Sequence, residues 1–551
     1  MTEPFRPRHK LLYTTLVALL LVSGLIVYTV VVAYFVPSWR GWDALWYHEP
    51  IVGFAIQNHG FSPIHSQDYG LRKIDGYPRL CELLNLWFVL MGGRRFIDIP
   101  NSLIAPLFIS SVFLFVRKYE KNITSSLTWS LALFLMPCIL EQLQSTYVDV
   151  HAAFFLIVAA CFSVRAPLRV QDAVLGTLSV VLAIGSKHMA LAPSMAILLV
   201  ILCRTVLYGF RDRPRQTVAA VAGMSLATLA VLFALYLRNF FLYGEPFWPE
   251  ARLEIIDGGI RILNPLREAV LAPKQQIADL LSIPFSWSRG HYGAVFGFGF
   301  GVAWIVIPTG TIAFVLAFGD LARLAFLRSA RRSLGLTSRV TPPVLLGGLC
   351  LIALATSPAL WGARYQIFAV VLFAAAAAWM SARYRLTVWG LVAPNIVLFA
   401  GLVSLFWNPT WPFPTPAELA KIAAYPYPER EVVNAREFSD RVDLHASPIP
   451  KDVGLARERE LTAGKVIAIG DHYGTFSATF WNNDFSNRVV YLPDGADFLE
   501  RANAVDATWL AAERGSRLFA DLKRSDSWEE VGRLTNELNG VAFRRRPAHQ
   551  L

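Results

Sequence analysis

Ionisable side chains gather at the ends of apolar runs in this 551-residue chain, and their types suit proton transfer beside a phosphate. The first cluster lies in WDALWYHEP, where Asp43, Tyr47, His48 and Glu49 stand among aromatic residues just after the first apolar run. The polar stretch continues through His59, Asp68, Arg72, Lys73 and Asp75 to Arg79, where the next apolar run begins. Four further clusters follow: Tyr147, Asp149 and His151 with Gln142 and Gln144; Lys187 with His188; Arg238 with Asn239 and Glu250; and Arg364 with Tyr365. A carboxylate can accept the proton of an incoming hydroxyl. Lysine and arginine can stabilise a phosphate as it departs. Ionisable groups are costly near hydrocarbon and mark function where they collect.

Each of these residues also has a plainer role open to it. Asp43 and Asp149 both precede helical stretches and suit N-caps. Lys187 and Arg238 suit snorkelling to an interface. Arg364, between Trp361 and Tyr365, suits an interfacial anchor. No single position decides between these readings; the convergence of carboxylates and cations does.

The elements that must position them are membrane helices. The chain is 55% hydrophobic and only 17% charged, too little charge to cover a soluble protein of this length. The 51 Lys and Arg against 40 Asp and Glu fall in short clusters between apolar runs. That distribution orients a membrane protein and argues against nucleic-acid binding. The five cysteines lie in or beside apolar runs without metal-ligand spacing, so neither a disulfide nor a zinc site is expected.

Arg6, Arg8 and Lys10 place the N-terminus in the cytoplasm, and Leu11–Val36, too long for a signal-peptide core, leads outward as an anchor. The loop 37–79 is then outside. Leu80–Met91, about 18 Å long, is too short to cross and reads as an interfacial helix over 80–92. Later runs, among them Ile99–Val116, Ile123–Leu140, Asp149–Val164, Gly293–Phe318 and Leu386–Trp407, alternate so that basic clusters end inside and aromatic-polar ends lie outside. The expectation is a membrane all-α bundle of about eleven helices over residues 1–407, with a second long outer loop at 238–292. A proline-rich linker, 408–417, precedes an extracytoplasmic α/β domain at 418–551. There KVIAIG and RVVYL read as buried strands, ATWLAAER as a third strand or a helix, and SWEEVGRLTNELNG as a helix before a last strand, VAFRRR. The strand-end sequence Gly470-Asp471-His472-Tyr473-Gly474 reads as a turn that could also touch a ligand.

In order along the chain, WDALWYHEPIVGFAIQNHG, GYPRLCELLNLWFVLMGG, QSTYVDVHAAFF, GSKHMAL, YLRNFFLYGEPFWP and GARYQ resemble motifs of the GT-C membrane glycosyltransferases. The group resembled comprises bacterial relatives of protein O-mannosyltransferases and aminoarabinose transferases. The resemblance implies an inverting transfer from a polyprenyl-phosphate sugar, without a nucleotide donor. It implies that Asp43 is the catalytic acid of the first outer loop, Asp149 the acidic residue of the second, and Arg79 a contact of the lipid phosphate. Two features depart from the pattern: Ala44 follows Asp43 where protein mannosyltransferases carry paired acids, and no Asp-x-Asp is present. A divalent metal is left possible but without a motif to support it, and no other cofactor is implied. Because the C-terminal α/β domain differs from the additional domains of eukaryotic mannosyltransferases, a glycan or glycolipid acceptor is expected in preference to a protein.

These observations together assign expected roles. Asp43 takes the acceptor's proton, while His48, Glu49 and Asp149 position acceptor or base. Arg79, Lys187, Arg238 and Arg364 hold the donor phosphate, and Tyr47, Tyr147, His188 and Tyr365 contact substrate. The site would lie on the outer face of a bacterial plasma membrane. Two other classes share part of the pattern: a polymerase or ligase of lipid-linked polysaccharide units, and a transporter of lipid-linked sugars. The first calls for a long basic outer loop, whereas the stretch 245–289 is balanced in charge. The second calls for matched broken halves, and no internal repeat is present.

Overall fold

The computed structural model describes residues 7–36, 43–64, 74–165, 168–212, 214–246, 252–256, 259–263, 299–326, 334–355, 362–407, 413–427, 430, 433–434, 437, 464–470, 480–482, 484–493, 495–533 and 540–546. Asp68, Arg72, Lys73, Glu250, most of the loop 238–292, part of the linker and residues 471–474 of the strand-end turn lie outside the described residues. The chain forms two compact units. One comprises Met1–Val27, Leu103–Gln142 and Val148–Trp411; the other comprises Tyr28–Ser102, Leu143–Tyr147 and Pro412–Leu551.

Six helices among the described residues are long and apolar enough to cross a bilayer: Leu12–Phe35, Arg94–Val116, His188–Leu207, Pro214–Tyr243, Val302–Arg323 and Thr387–Leu405. The protein is thus a multi-pass membrane protein. A seventh candidate, expected as one continuous run from Ile123 to Leu140, is instead two helices, Ile123–Phe134 and Pro137–Gln144, bent by 64°. Proline disfavours helical geometry in the residue before it, and Met136 is extended at φ −61°, ψ 131°.

The first unit is a helical bundle, with a two-stranded antiparallel hairpin of β1 (Arg252–Ile256) and β2 (Gly259–Leu263). At its centre is the helix Ile367–Arg383, every residue of which from Ile367 to Ser381 is buried. Five consecutive alanines, 374–378, leave room for close neighbours, and the helices Ile307–Phe326, Leu334–Ala355 and Thr387–Trp407 pack around it. The helix Asp149–Ser163, which carries one candidate acid at its start, is anchored at its other end by cations. Lys118 Nζ donates to the Cys161 carbonyl at 2.6 Å, and Arg204 donates to the carbonyls of Ser163 and Arg165. Basic groups at a helix C-terminus satisfy orphan carbonyls and complement the dipole.

The second unit is built on a five-stranded sheet of order β4-β3-β5-β7-β6, with β3 Val466–Gly470, β4 Arg488–Leu492, β5 Trp509–Glu513, β6 Trp528–Arg533 and β7 Gly540–Arg545. β4, β3 and β5 run parallel, β7 pairs antiparallel with β5, and β6 pairs antiparallel with β7. Alternate residues serve opposite faces, as the period of a strand requires. Ile467, Ile469, Val489 and Tyr491 pack with Ile51, Val52 and Phe54 of the helix Glu49–Gln57. Ala468 and Leu492 pack with Phe498, Ala502, Leu518 and Leu522 of the helices Phe498–Ala504 and Arg517–Arg524. Part of the first polar loop therefore covers one face of the C-terminal sheet. Gln57 also closes an edge: its amide accepts from Val489 N at 2.8 Å and donates to Val489 O at 3.0 Å. These are the backbone groups that an edge strand leaves unpaired.

In the second unit, one element differs from expectation. Trp528–Arg533, expected within a helix, is strand β6, paired with β7. Its Glu529 lies opposite Arg544 and forms an ion pair with it, and Trp528 is buried. Cross-strand pairing and burial of one face outweigh the helical preference of its glutamates. Residues 534–539 of that expected helix lie outside the described residues.

The seam between the loop helix and the sheet is tight. A Cβ on Gly53 would stand 2.7 Å from three ring atoms of Trp481, which is itself buried and packs edge-on to Phe54. Gly53→Ala is expected to destabilise the protein by about 1–3 kcal/mol through overpacking, read as a lower melting temperature in detergent. An unchanged melting temperature would show that the ring has room to move.

Candidate functional site

The candidate residues divide between the two units. In the second, Asp43 occupies the position just before a π-helical turn, Ala44–His48, with helical φ −64°, ψ −34° and no capping bond from its side chain. The capping role open to Asp43 is thus not taken. The turn is closed by Glu49 N–H donating to the Ala44 carbonyl, and it leads directly into the helix Glu49–Gln57. Single π turns within α-helices occur frequently at functional sites. The Asp43 backbone N–H donates to the Tyr147 hydroxyl at 3.4 Å. The segment bearing Tyr147 is itself fixed by Asn101, whose amide donates to the Ser145 and Tyr147 carbonyls, and by Ser102, whose hydroxyl donates to the Leu143 carbonyl.

His48 and Glu49 point to different partners. His48 Nδ1 hydrogen-bonds the Glu82 carboxylate, and both residues are 1% exposed. Its ring lies against Tyr47, centroids 4.0 Å apart, and Tyr47 stacks on Tyr77 at 4.5 Å. Glu49 receives Arg94 at 3.2 Å, and Arg94 also donates to the Trp481 carbonyl. Burial pushes the Glu49 carboxyl above its ordinary value, while the Arg94 guanidinium and His48 oppose that rise. Arg79 is paired with Asp75 at 3.0 Å and lies over the Phe61 ring. Asp75 in turn accepts from Ile64 N at 2.9 Å, so this pair pins the returning end of the loop.

In the first unit, Asp149 is the first residue of its helix and, in place of capping it, forms an ion pair with Lys187. Lys187 lies just beyond the helix Val170–Ser186, and its Nζ also stands 4.4 Å above the Tyr365 ring. Arg364 reaches the same tyrosine from the other side in sequence: it donates to Tyr365 Oη at 2.7 Å with Cζ 4.8 Å from the ring centroid. Arg364 is only 5% exposed, so it is no surface anchor. These four residues line a partly open pocket, about 400 Å³ of empty space when the part open to solvent is counted, whose remaining walls are largely apolar, including Leu156, Met189 and Phe368. Two cations against one carboxylate leave the polar end net positive. In a largely desolvated place such an excess favours an anion, and a planar guanidinium suits phosphate oxygens. His188 lies edge-on to Tyr236 at 5.4 Å, beside a second π turn, Phe233–Leu237, and Arg238 begins the next helix. Neither His188 nor Arg238 lines the cavity.

Glu82 is not among the residues that the sequence pattern singles out. It sits in a run that looks apolar, yet on the helix Leu80–Gly92 the residues Cys81, Glu82, Asn85 and Val89 face inward while Leu83, Trp87, Leu90 and Met91 face outward. Two polar residues on one face of an otherwise apolar helix are the signal that could have found it. That helix has 13 residues, about 20 Å long, less than the ~30 Å of a hydrocarbon core. Among the described residues no three His, Cys, Asp or Glu side chains are grouped to hold a metal ion.

No protein-family model matches the chain, and no curated protein sequence matches it. Solved structures do. ArnT from Cupriavidus metallidurans bound to undecaprenyl phosphate is similar with a TM-score of 0.52 at 11% identity, over 96% of this chain and 98% of its own. The same protein in its apo state is similar with a TM-score of 0.50 at 13% identity, over 95% and 97%. The archaeal oligosaccharyltransferase AglB from Archaeoglobus fulgidus, in complex with an inhibitory peptide and a dolichol-phosphate, gives 0.38 at 12% identity, over 89% and 69%. At such identities the likeness is one of backbone architecture. The fold is thus similar to that of ArnT over nearly the full length of both chains.

Proposed function

We propose that the chain is an integral-membrane inverting glycosyltransferase that moves a sugar from a polyprenyl-phosphate donor to an envelope glycan or glycolipid. The observation that carries this reading is the cavity lined by Asp149, Lys187, Arg364 and Tyr365, net positive at one end and apolar along its walls. A phosphate joined to a prenyl chain has the same two-part character. The ArnT structure with undecaprenyl phosphate supports the same reading, since it shows this fold holding such a lipid.

In this reading Lys187 and Arg364 hold the donor phosphate and stabilise its charge as it leaves. Asp149 keeps Lys187 extended, and Tyr365 orients both cations. Asp43 takes the acceptor's proton, with Glu49 and His48 supporting it. Tyr47, Tyr147 and His188 contact sugar or acceptor, and Arg79 and Arg238 supply further positive charge. The reading includes about eleven crossings, a cytoplasmic N-terminus and an extracytoplasmic C-terminal domain, in a bacterial plasma membrane. Thiol labelling of single cysteines placed at residues 8 and 495 of intact cells tests that sidedness; labelling of residue 8 from outside would overturn it.

Two measurements in proteoliposomes test the chemistry. Asp43→Asn is expected to lower turnover of a polyprenyl-phosphate sugar about 10²–10⁴-fold while leaving donor binding intact; near-normal turnover would remove Asp43 as the base. Lys187→Met strands the Asp149 carboxylate and is expected to cost about 3–5 kcal/mol of stability. Adding Asp149→Asn should restore most of that stability without restoring donor affinity. Wild-type donor affinity in the double variant would separate the pair from phosphate binding.

A further inference from the structure

His48 is held in a manner that a packing role leaves unexplained. Its Nδ1 is committed to Glu82, whereas its Nε2 is buried and has no hydrogen-bond partner among the described residues, as is Glu82 Oε2. A buried polar atom without a partner is costly and calls for a reason. A carboxylate on Nδ1 fixes the tautomer with its proton there, which leaves the Nε2 lone pair basic.

The π turn adds a second observation. In an α-helix, a residue five positions on is turned roughly 140° away. A π turn bonds i to i+5, and here that turn spans Ala44–His48, which swings His48 back toward the side of the helix from which Asp43 enters. Tyr147 meets both ends: its hydroxyl accepts from Asp43 N, and its ring lies 6.4 Å from the His48 ring. Among the described residues, the charged and titratable groups facing His48 are Glu82 from the helix Leu80–Gly92, Glu49 next in the chain and itself paired with Arg94, Tyr47 beside it, and Tyr147 from the segment 143–147.

We propose that His48 and Glu82 form the proton-accepting pair of the transfer reaction, with Nε2 of His48 as the final resting place of the acceptor's proton and Glu82 as its positioning residue. The inference rests on the glycosyl-transfer reading and deepens it. As the acceptor oxygen bonds to the anomeric carbon, the bond from that carbon to the donor phosphate oxygen breaks. The phosphate departs with the electron pair, as a polyprenyl monophosphate. The hydroxyl proton passes through Asp43 to His48 Nε2, and the Glu82 carboxylate balances the imidazolium. Without that sink the proton would remain on Asp43, which must be ionised again before the next turnover.

The test is the pH dependence of single-turnover transfer in proteoliposomes by the wild type, Glu82→Gln, Glu82→Asp and His48→Gln, each checked for its melting temperature. The wild-type rate should fall toward acid through one midpoint. Glu82→Gln removes the charge that favours the imidazolium, so that midpoint should move down by about one pH unit and the plateau rate should fall. Glu82→Asp, which keeps the charge, should leave the midpoint near wild type. His48→Gln should abolish the midpoint and lower the plateau about 100-fold. A uniform loss of rate with an unmoved midpoint in Glu82→Gln and His48→Gln overturns this pair alone. Failure of the wild type to transfer any lipid-linked sugar overturns the glycosyl-transfer reading and this pair with it.

Discussion

Charge withdrawn from water must find a partner, and that constraint shapes every part of the candidate site. Glu82 meets His48, Glu49 meets Arg94, Asp75 meets Arg79, and Asp149 meets Lys187. Each pair joins residues from different turns or different helices, so each also fixes a piece of backbone. Asp75 and Arg79 close the loop on itself, and Arg94 ties the start of a long apolar helix to the carbonyl of Trp481. Lys187 ties the end of one helix to the start of another. Replacing such pairs with apolar residues would often cost little stability. Their presence is therefore better explained by what the charges do than by what they hold.

The two groups of charges differ in kind. In the unit with the C-terminal sheet, carboxylates outnumber cations around the π turn, and a histidine stands among tyrosines, which suits handling a proton. In the helical unit, two cations share one tyrosine and one carboxylate beside apolar walls, which suits holding an anion with a greasy tail. A backbone shared with ArnT at 11% identity leaves such side-chain chemistry open to change. The functional reading therefore rests on these groups, and the fold gives them a context in which they make sense.

Residue types along the chain were enough to find the polar stretch of Asp43, His48 and Glu49, because ionisable groups beside apolar runs are conspicuous. They were also enough to find the strands Val466–Gly470 and Arg488–Leu492, whose β-branched residues form short apolar runs between turns. Pairing was beyond reach. His48 and Glu82 lie 34 residues apart, and Asp149 and Lys187 lie 38 apart, farther than any helical or strand period extends. Glu82 was hidden because a single acid in Leu80–Gly92 barely changes an apolar average. Trp528–Arg533 misled for a related reason: its glutamates favour a helix locally, and only β7 beside it decides otherwise. Pro137 carried a legible signal, since a proline within a run that should cross a bilayer is a natural place for a bend.

Gln57 and Val489, which meet at the sheet edge, are separated by 432 positions in the chain. At synthesis rates of 5–20 residues per second, roughly 20–90 s pass between the emergence of the glutamine and that of the strand it completes. Throughout that interval Ile51, Val52 and Phe54 have no sheet to cover them, although the helices between are already entering the membrane. The nascent loop must wait as an unfinished surface, and a ribosome that stops before residue 466 releases a chain whose first loop never receives its lining. Biogenesis of this protein is therefore completed from its last part backward to its first.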